Sequence, residues 1–188
     1  MNITEFRSAL LEQLTAAKAA MPDAHIHLLY APELADPLQL VDDRKREAAR
    51  IRPLFMQTRW PEEALPRLVT LDCRRVAAYM LETDSALDDP LLEASITQAH
   101  AELYLGNRVQ PVLTNDSPGM AERSVCGWIV SPESAKEFAT RVNWQSGQWH
   151  PQHRSRWVRW YMPDHLNALW PTMGVRQKQA LLGQATWL

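Results

Sequence analysis

The chain of 188 residues has few cysteines, which crosslink secreted proteins, and few glycines, which form phosphate-binding loops. It contains two cysteines, Cys73 and Cys126, and six glycines that stand singly. Two cysteines give no disulfide framework and indicate a reducing compartment. Isolated glycines exclude the Gly-rich loops that hold nucleotide phosphates. No run approaches the roughly 20 consecutive apolar residues of a membrane helix, and the amino terminus is amphipathic rather than signal-like. We therefore expect a soluble, cytoplasmic protein.

The net charge of −2 conceals an uneven distribution along the chain. Residues 126–188 carry seven Lys and Arg against three acids, whereas residues 1–125 carry thirteen against nineteen. Seven of the eight tryptophans also lie beyond residue 125. This division predicts one domain with two possible lobes, an acidic α/β lobe over 1–125 and a basic, Trp-rich lobe over 126–188. Because a dense Lys/Arg run is missing, the basic part favours a protein partner over nucleic acid.

Helical and strand-like patterns interleave along the sequence and predict an α/β (α+β) fold with a small mixed sheet flanked by helices. The first helix begins at an Asn2/Glu5 capping pair. Strands are expected near residues 25–31, 65–71 and 126–130, and the C-terminal end reads as helical. Further helices are expected over the charged segment 36–52, over 73–81, over 90–105 with Tyr104 on its buried stripe, and from Ser131-Pro132-Glu133 onward.

Residues that could form a catalytic or metal site are sparse. His25 and His27 have the i,i+2 spacing that places two side chains on one strand face, and Cys126 is a conceivable third ligand. His150 and His153 form a second pair. Neither pair comes with the three or four ligands of a zinc site, so we predict no metal and no cofactor. The adjacent carboxylate pairs do not face each other on a helix or strand, and no nucleophile motif is present. A non-enzymatic protein is therefore predicted.

The most distinctive local feature is the aromatic and basic segment over residues 154–161 (RSRWVRWY). Its alternation predicts a strand with one face packed in the core and the other directed to a partner. Trp and Arg are the residues most enriched at protein–protein hot spots. The predicted partner-binding residues are this segment's basic and aromatic members and two tryptophans beside the preceding turn: Trp144, Trp149, Arg154, Arg156, Arg159, Trp160 and Tyr161.

Several of these segments, in their order along the chain, resemble one family. They are residues 127–134 (GWIVSPES), residues 156–163 (RWVRWYMP) with Leu166, and the Gln-containing helix 177–183 with Trp187. Residues 27–31 (HLLYA), 53–55 (PLF) with Thr58, and 65–71 (LPRLVTL) match more loosely. The family is the effector adaptor/chaperone family of bacterial type VI secretion. Where its members usually have Asp-Pro-Arg, this chain has Met162-Pro163-Asp164, which indicates a divergent member or an unusual cargo.

The resemblance implies a cytoplasmic adaptor that binds a cognate effector toxin and promotes its loading onto the secretion spike protein VgrG. It implies neither catalysis nor a membrane or nucleic-acid partner. An immunity-type protein that binds a toxin has a similar composition and remains an alternative. A small metal-dependent hydrolase built on His25 and His27 is a third interpretation, and it requires a third ligand brought close by folding.

Overall fold

The computed structural model describes residues 1–31, 38, 48–51, 65–71, 86–104, 123–150, 154–157 and 160–188, and for residues 146–150 and 154–157 it describes the backbone only. The helices in this part of the chain are α1 (Ile3–Ala20), α2 (Pro90–Tyr104), α3 (Ala135–Ser146), α4 (Pro163–Leu169) and α5 (Val175–Leu182). The strands are β1 (His25–Tyr30), β2 (Ala48–Arg50), β3 (Arg67–Leu71), β4 (Val125–Ser131), β5 (Gly147–His150), β6 (Arg154–Trp157) and β7 (Thr186–Trp187). The predicted α/β fold with a helical C-terminal end is confirmed.

Five strands form the main sheet in the order β2-β3-β1-β4-β7, and every pairing between them is antiparallel. The central strand β1 pairs Ile26 with Leu71 of β3 on one side and with Val130 of β4 on the other. Since β4 belongs to the C-terminal part and lies beside β1, the two predicted lobes share one sheet. Strands β5 and β6 form a separate two-stranded hairpin.

Helices cover both faces of the main sheet, which explains why β1 is apolar at consecutive positions. On one face, α1 and α2 bury Leu14, Leu92 and Ile96 against Ile26 and Leu28. The opposite face carries a second core, with α3, α5 and the residues before α4 packed against the sheet. Its members include Leu29, Ile129, Phe138, Val142, Trp160, Tyr161 and Leu181. A strand covered on both faces loses the apolar/polar alternation of a half-exposed strand.

The start of helix α1 has the capping pair that the sequence predicts. At the start of α1, the Asn2 side chain accepts a hydrogen bond from Glu5 N (2.9 Å), and the Glu5 carboxylate accepts one from Asn2 N (3.0 Å). This reciprocal pair satisfies backbone donors that the first helical turn leaves unpaired. None of the described helices is long and apolar enough to cross a membrane.

Three local predictions were wrong, each because tertiary contacts or a nearby cap prevailed. Ala48–Arg50 is a strand paired with β3, not part of a helix. Helix α3 begins at Ala135 rather than near Pro132, because Ser134 and Glu137 form the reciprocal capping pair. Tyr104 is exposed, and Glu102 is buried in its place. Residues 39–47 of the predicted helix over 36–52, and the whole predicted helix over 73–81, lie outside the described residues.

The segment predicted as one strand over residues 154–161 is divided in the structure. Strand β6 ends at Trp157, and Trp160 and Tyr161 form a turn that leads into α4. Both aromatic side chains are buried, and their rings meet edge to face at 6.1 Å. The expectation that one of the two faces outward is therefore corrected, since the alternation of a strand does not extend through a turn.

Candidate partner-binding groove

An apolar groove of about 800 Å³ lies where α1, α2 and the start of β4 meet the C-terminal segment. Twenty-one of the described residues line it, and four of these carry polar side chains. The polar members are Gln13, Arg123, Asn167 and Thr186, and the others are Met1, Phe6, Ala9, Leu10, Ala99, Leu103, Val125, Cys126, Gly127, Trp128, Pro163, Leu166, Trp170, Leu182, Ala185, Trp187 and Leu188. The volume falls within the range of ligand and peptide sites, which are mostly apolar with a few polar groups.

The floor of the groove is the beginning of β4, and a buried carboxylate holds it in place. Glu102 on α2 accepts hydrogen bonds from Ser124 N (3.2 Å) and Ser124 Oγ (2.5 Å) through Oε1, and from Val125 N (3.3 Å) through Oε2. Gln98 Nε2 donates a further bond to Oε1 at 2.8 Å. A buried carboxylate requires such partners, because losing its hydration is otherwise costly. Glu102 thereby ties α2 to the strand that forms the floor.

Two aromatic side chains beside the floor are fixed by specific contacts. The indole N–H of Trp128 donates to Ser95 Oγ at 3.0 Å, which sets the ring between α2 and β4. On the other wall, Trp187 packs edge to face against Trp160 with ring centroids 5.5 Å apart. Gly127 has a φ of 146°, and a Cβ atom there would lie 2.3 Å from Trp187 Nε1. Only glycine therefore lets the C-terminal wall approach β4 this closely.

The C-terminal wall is anchored through helix α5 by one arginine. Arg141 on α3 donates to the carbonyls of Ala180 (3.1 Å), Leu181 and Leu182 (3.1 Å) at the end of α5. The same guanidinium forms a two-point ion pair with Glu133, with Nε–Oε1 at 2.9 Å and Nη2–Oε2 at 2.5 Å. These carbonyls have no partner within the helix, so a cation at this end satisfies them and complements the helix dipole.

The rim of the groove next to α1 exposes apolar side chains. Met1 is 57% exposed and Tyr104 is 47% exposed. Phe6, which lines the groove, meets the Tyr104 ring edge to face at 6.1 Å and the His100 ring at 5.8 Å. His100 Nε2 donates to the Met1 carbonyl at 3.2 Å, which joins the two helices at the rim. Contiguous exposed apolar surface of this kind is typical of interaction sites.

None of the sequence-predicted partner residues is among the described residues that line this groove. Trp144 lies on α3 with 59% of its surface exposed, as expected for an anchor. Trp149, Arg154 and Arg156 lie on the β5–β6 hairpin, where Trp149 pairs with Ser155 and Gln148 with Arg156. Trp160 and Tyr161 are buried in the second core, so neither is exposed to a partner. Arg159 lies outside the described residues.

The histidines of the metal hypothesis have structural partners instead. Burial lowers the pKa of His27 from 6.5 to about 4, so the ring is neutral at pH 7. Its Nε2 donates to the Glu133 carbonyl (3.0 Å), which leaves Nδ1 to accept from the Thr70 hydroxyl (3.2 Å). His25 stacks on this ring at 5.8 Å. Within the described ranges, no group of three or more His, Cys, Asp or Glu side chains is placed to hold a metal ion.

Two of the groove's structural residues carried a signal in the sequence that pattern reading overlooked. Glu102 falls three residues after Ala99 on the apolar stripe of α2, and a charge on such a stripe indicates a buried, paired group. Arg141 gave no comparable signal, because its partners belong to a helix about forty residues later.

A scan against protein-family models, a search of curated proteins and a search of solved structures each gave no match to this chain.

Proposed function

We propose that this protein is a non-catalytic adaptor that binds a cognate effector toxin in the bacterial cytoplasm and promotes its loading onto the type VI secretion spike protein VgrG. The observation that carries the proposal is the apolar groove between α1, α2, β4 and the C-terminal segment. Its apolar lining and exposed rim suit an apolar protein segment, which would leave water on binding. The order of the sequence motifs supplies the link to type VI secretion.

The groove and the β5–β6 hairpin would bind different parts of the secretion complex. The groove would take the apolar cargo segment, because its described lining is mostly apolar. Trp144 and the hairpin residues Trp149, Arg154 and Arg156 would form a second contact, with the effector or with the spike. Two separate surfaces are what an adaptor requires, since it holds one partner while meeting the other.

The interpretation as a metal-dependent hydrolase is not favoured by the histidine geometry. Both ring nitrogens of His27 are engaged, one by a backbone carbonyl and one by a hydroxyl. A metal would have to displace the Thr70 contact from a buried site, and it would find His25 as the adjacent ligand. The immunity-type alternative shares the toxin as partner and differs in the absence of the spike, so it is separated by experiment.

The test is a tagged pull-down from the native bacterium, washed at low and moderate salt, with bound proteins identified by mass spectrometry. We expect an effector toxin and VgrG to be recovered together. Leu103→Asp places a charge in the groove and should reduce effector recovery at least about tenfold, since burying an unpaired charge is costly. The control Val175→Asp alters an apolar residue that is 73% exposed and lies outside the groove, and recovery should stay at the wild-type level.

Other outcomes would lead to different conclusions. Recovery of a toxin without VgrG would favour immunity, and the absence of any toxin would refute the adaptor role. If Trp149→Ala and Arg156→Ala lower VgrG recovery while effector recovery persists, the hairpin is the spike-facing surface. Equal loss of effector with Leu103→Asp and Val175→Asp would refute the assignment of the groove as the cargo site.

A further inference from the structure

One side chain in the described lining of the groove is charged, and its hydrogen bonding is incomplete. Arg123 is the only charged side chain among the described lining residues. Its Nη2 lies 3.5 Å from Asp164 Oδ1, longer than the 2.7–2.9 Å of a strong charge-assisted hydrogen bond. Its Nε is buried and has no hydrogen-bond partner. A bound carboxylate would not reach the buried Nε, but it could meet the exposed 17% of the side chain, whose ion pair with Asp164 is long.

We propose that the groove binds an apolar segment of the effector that carries one Asp or Glu side chain, and that this carboxylate pairs with Arg123. The inference rests on the proposed function, because it specifies the chemistry of the cargo segment. Arginine offers a planar fork of donors that matches a carboxylate at two points. The apolar walls around it exclude water, which strengthens the pair relative to one on an open surface.

Two features favour a polypeptide over a lipid as the source of the carboxylate. The polar members Gln13, Asn167 and Thr186 are distributed over α1, α4 and β7. A bound backbone needs such partners for its N–H and C=O groups, whereas a hydrocarbon tail does not. The apolar surface also continues past the groove, from the lining residue Phe6 onto the exposed ring of Tyr104. An amphipathic helix with anchors at i, i+3, i+4 and i+7 would use this extended surface.

The inference is tested with a phage-displayed library of random 16-residue peptides selected on the immobilised full chain. Enriched peptides should carry an Asp or Glu among apolar residues. Selection on Arg123→Glu should enrich Lys or Arg at the corresponding position. This reciprocal change requires the variant to be folded, which tryptophan fluorescence and circular dichroism verify. If Arg123 had only a structural role, the selected peptides would carry the same charge with the wild type and with Arg123→Glu.

Affinity measurements on one enriched peptide give the size of the effect. By fluorescence polarisation, Arg123→Met should weaken binding about 10- to 100-fold, as expected for losing a hydrogen bond to a charged group. Replacing the peptide's acid by its amide should cost a similar factor on the wild type and little on Arg123→Met. The control Arg176→Met alters an exposed arginine outside the groove and should leave affinity unchanged.

The outcomes separate this inference from the proposed function. Enriched peptides without an acid, or affinity that is indifferent to Arg123, would overturn it even if the effector and VgrG are still recovered together. A fatty acid found bound by native mass spectrometry, with no peptide enriched, would also overturn it and assign the groove to a lipid. Acidic peptides bound through Arg123 without recovery of any effector would support the groove chemistry and refute the adaptor role.

Discussion

Replacing Glu102 by leucine removes the acceptor that holds the first residues of β4 against α2. Among the described residues, four donors meet this carboxylate, and two of them are the backbone N–H groups of Ser124 and Val125. The Ser124 hydroxyl and the Gln98 amide can rotate to other partners, but the backbone groups cannot. Each stranded buried donor costs about 1–3 kcal/mol, so we expect Glu102→Leu to lower the free energy of unfolding by about 2–6 kcal/mol.

Glu102→Gln is a milder change at the same position, because it keeps part of the hydrogen bonding. An amide keeps one oxygen for the Ser124 and Gln98 donors and turns its NH₂ towards Val125 N, where the original bond is longest at 3.3 Å. We therefore expect a smaller loss, about 1–2 kcal/mol. If Glu102 acts through hydrogen bonds, the free energy of unfolding should decrease from the wild type to Glu102→Gln to Glu102→Leu. If it only filled space, Glu102→Leu would be the more stable variant.

The assay is urea unfolding at pH 7 followed by tryptophan fluorescence, with the free energy obtained by linear extrapolation. The control is Glu93→Gln on the same helix, where the carboxylate pairs with Arg7 at 2.7 Å on the surface and both side chains are nearly half exposed. Its stability should remain close to that of the wild type. A loss below about 1 kcal/mol for Glu102→Leu would show that the two backbone donors find other partners, and the reasoning would fail.

Two further changes test the wall of the groove and the buried histidine. In Gly127→Ala, the new Cβ would meet Trp187 Nε1 at 2.3 Å and Leu188 O at 2.6 Å, so urea unfolding should show a loss of about 1–3 kcal/mol. Gly174→Ala, where the nearest atom is 3.7 Å away, is the control, and equal effects would contradict the close approach. For His27, the unfolded state gains a proton near pH 6.5 and the folded state only near pH 4, so stability should fall as pH drops through this window, by about 3 kcal/mol in total. His27→Gln should lack this component, and identical pH profiles would refute it.

The elements that the sequence predicted well are those whose signal is local. The capping pair Asn2/Glu5 and the apolar stripe behind it are contained within a few turns of one helix, so the start of α1 could be predicted correctly. Strand β2 could not be predicted in this way, because Ala48–Arg50 is a strand only through its pairing with β3. Nothing within a charged, helix-prone segment encodes a partner about twenty residues away.

The candidate site was less accessible to sequence reasoning than the fold. Basic and aromatic residues concentrate in residues 154–161, and that composition drew attention to the hairpin and to Trp160 and Tyr161. The groove is assembled instead from α1, α2, β4 and the C-terminal segment, which lie far apart in the chain. Arg123, the one charged residue in the described lining, is distinguished only by its apolar neighbours and by its unpaired Nε. Both properties arise in the folded state.

The order of strands in the main sheet also determines when this protein can fold during its synthesis. Val130 pairs with Ile26 on one side and with Thr186 on the other, so the sheet joins residues from the beginning, middle and end of the described chain. Until the segment with α5 and β7 has left the ribosome, β4 lacks its outer neighbour and the second core lacks Leu181. The nascent chain would expose apolar sheet surface throughout this interval. Contacts so distant in sequence make folding slow and place its completion after translation of β7.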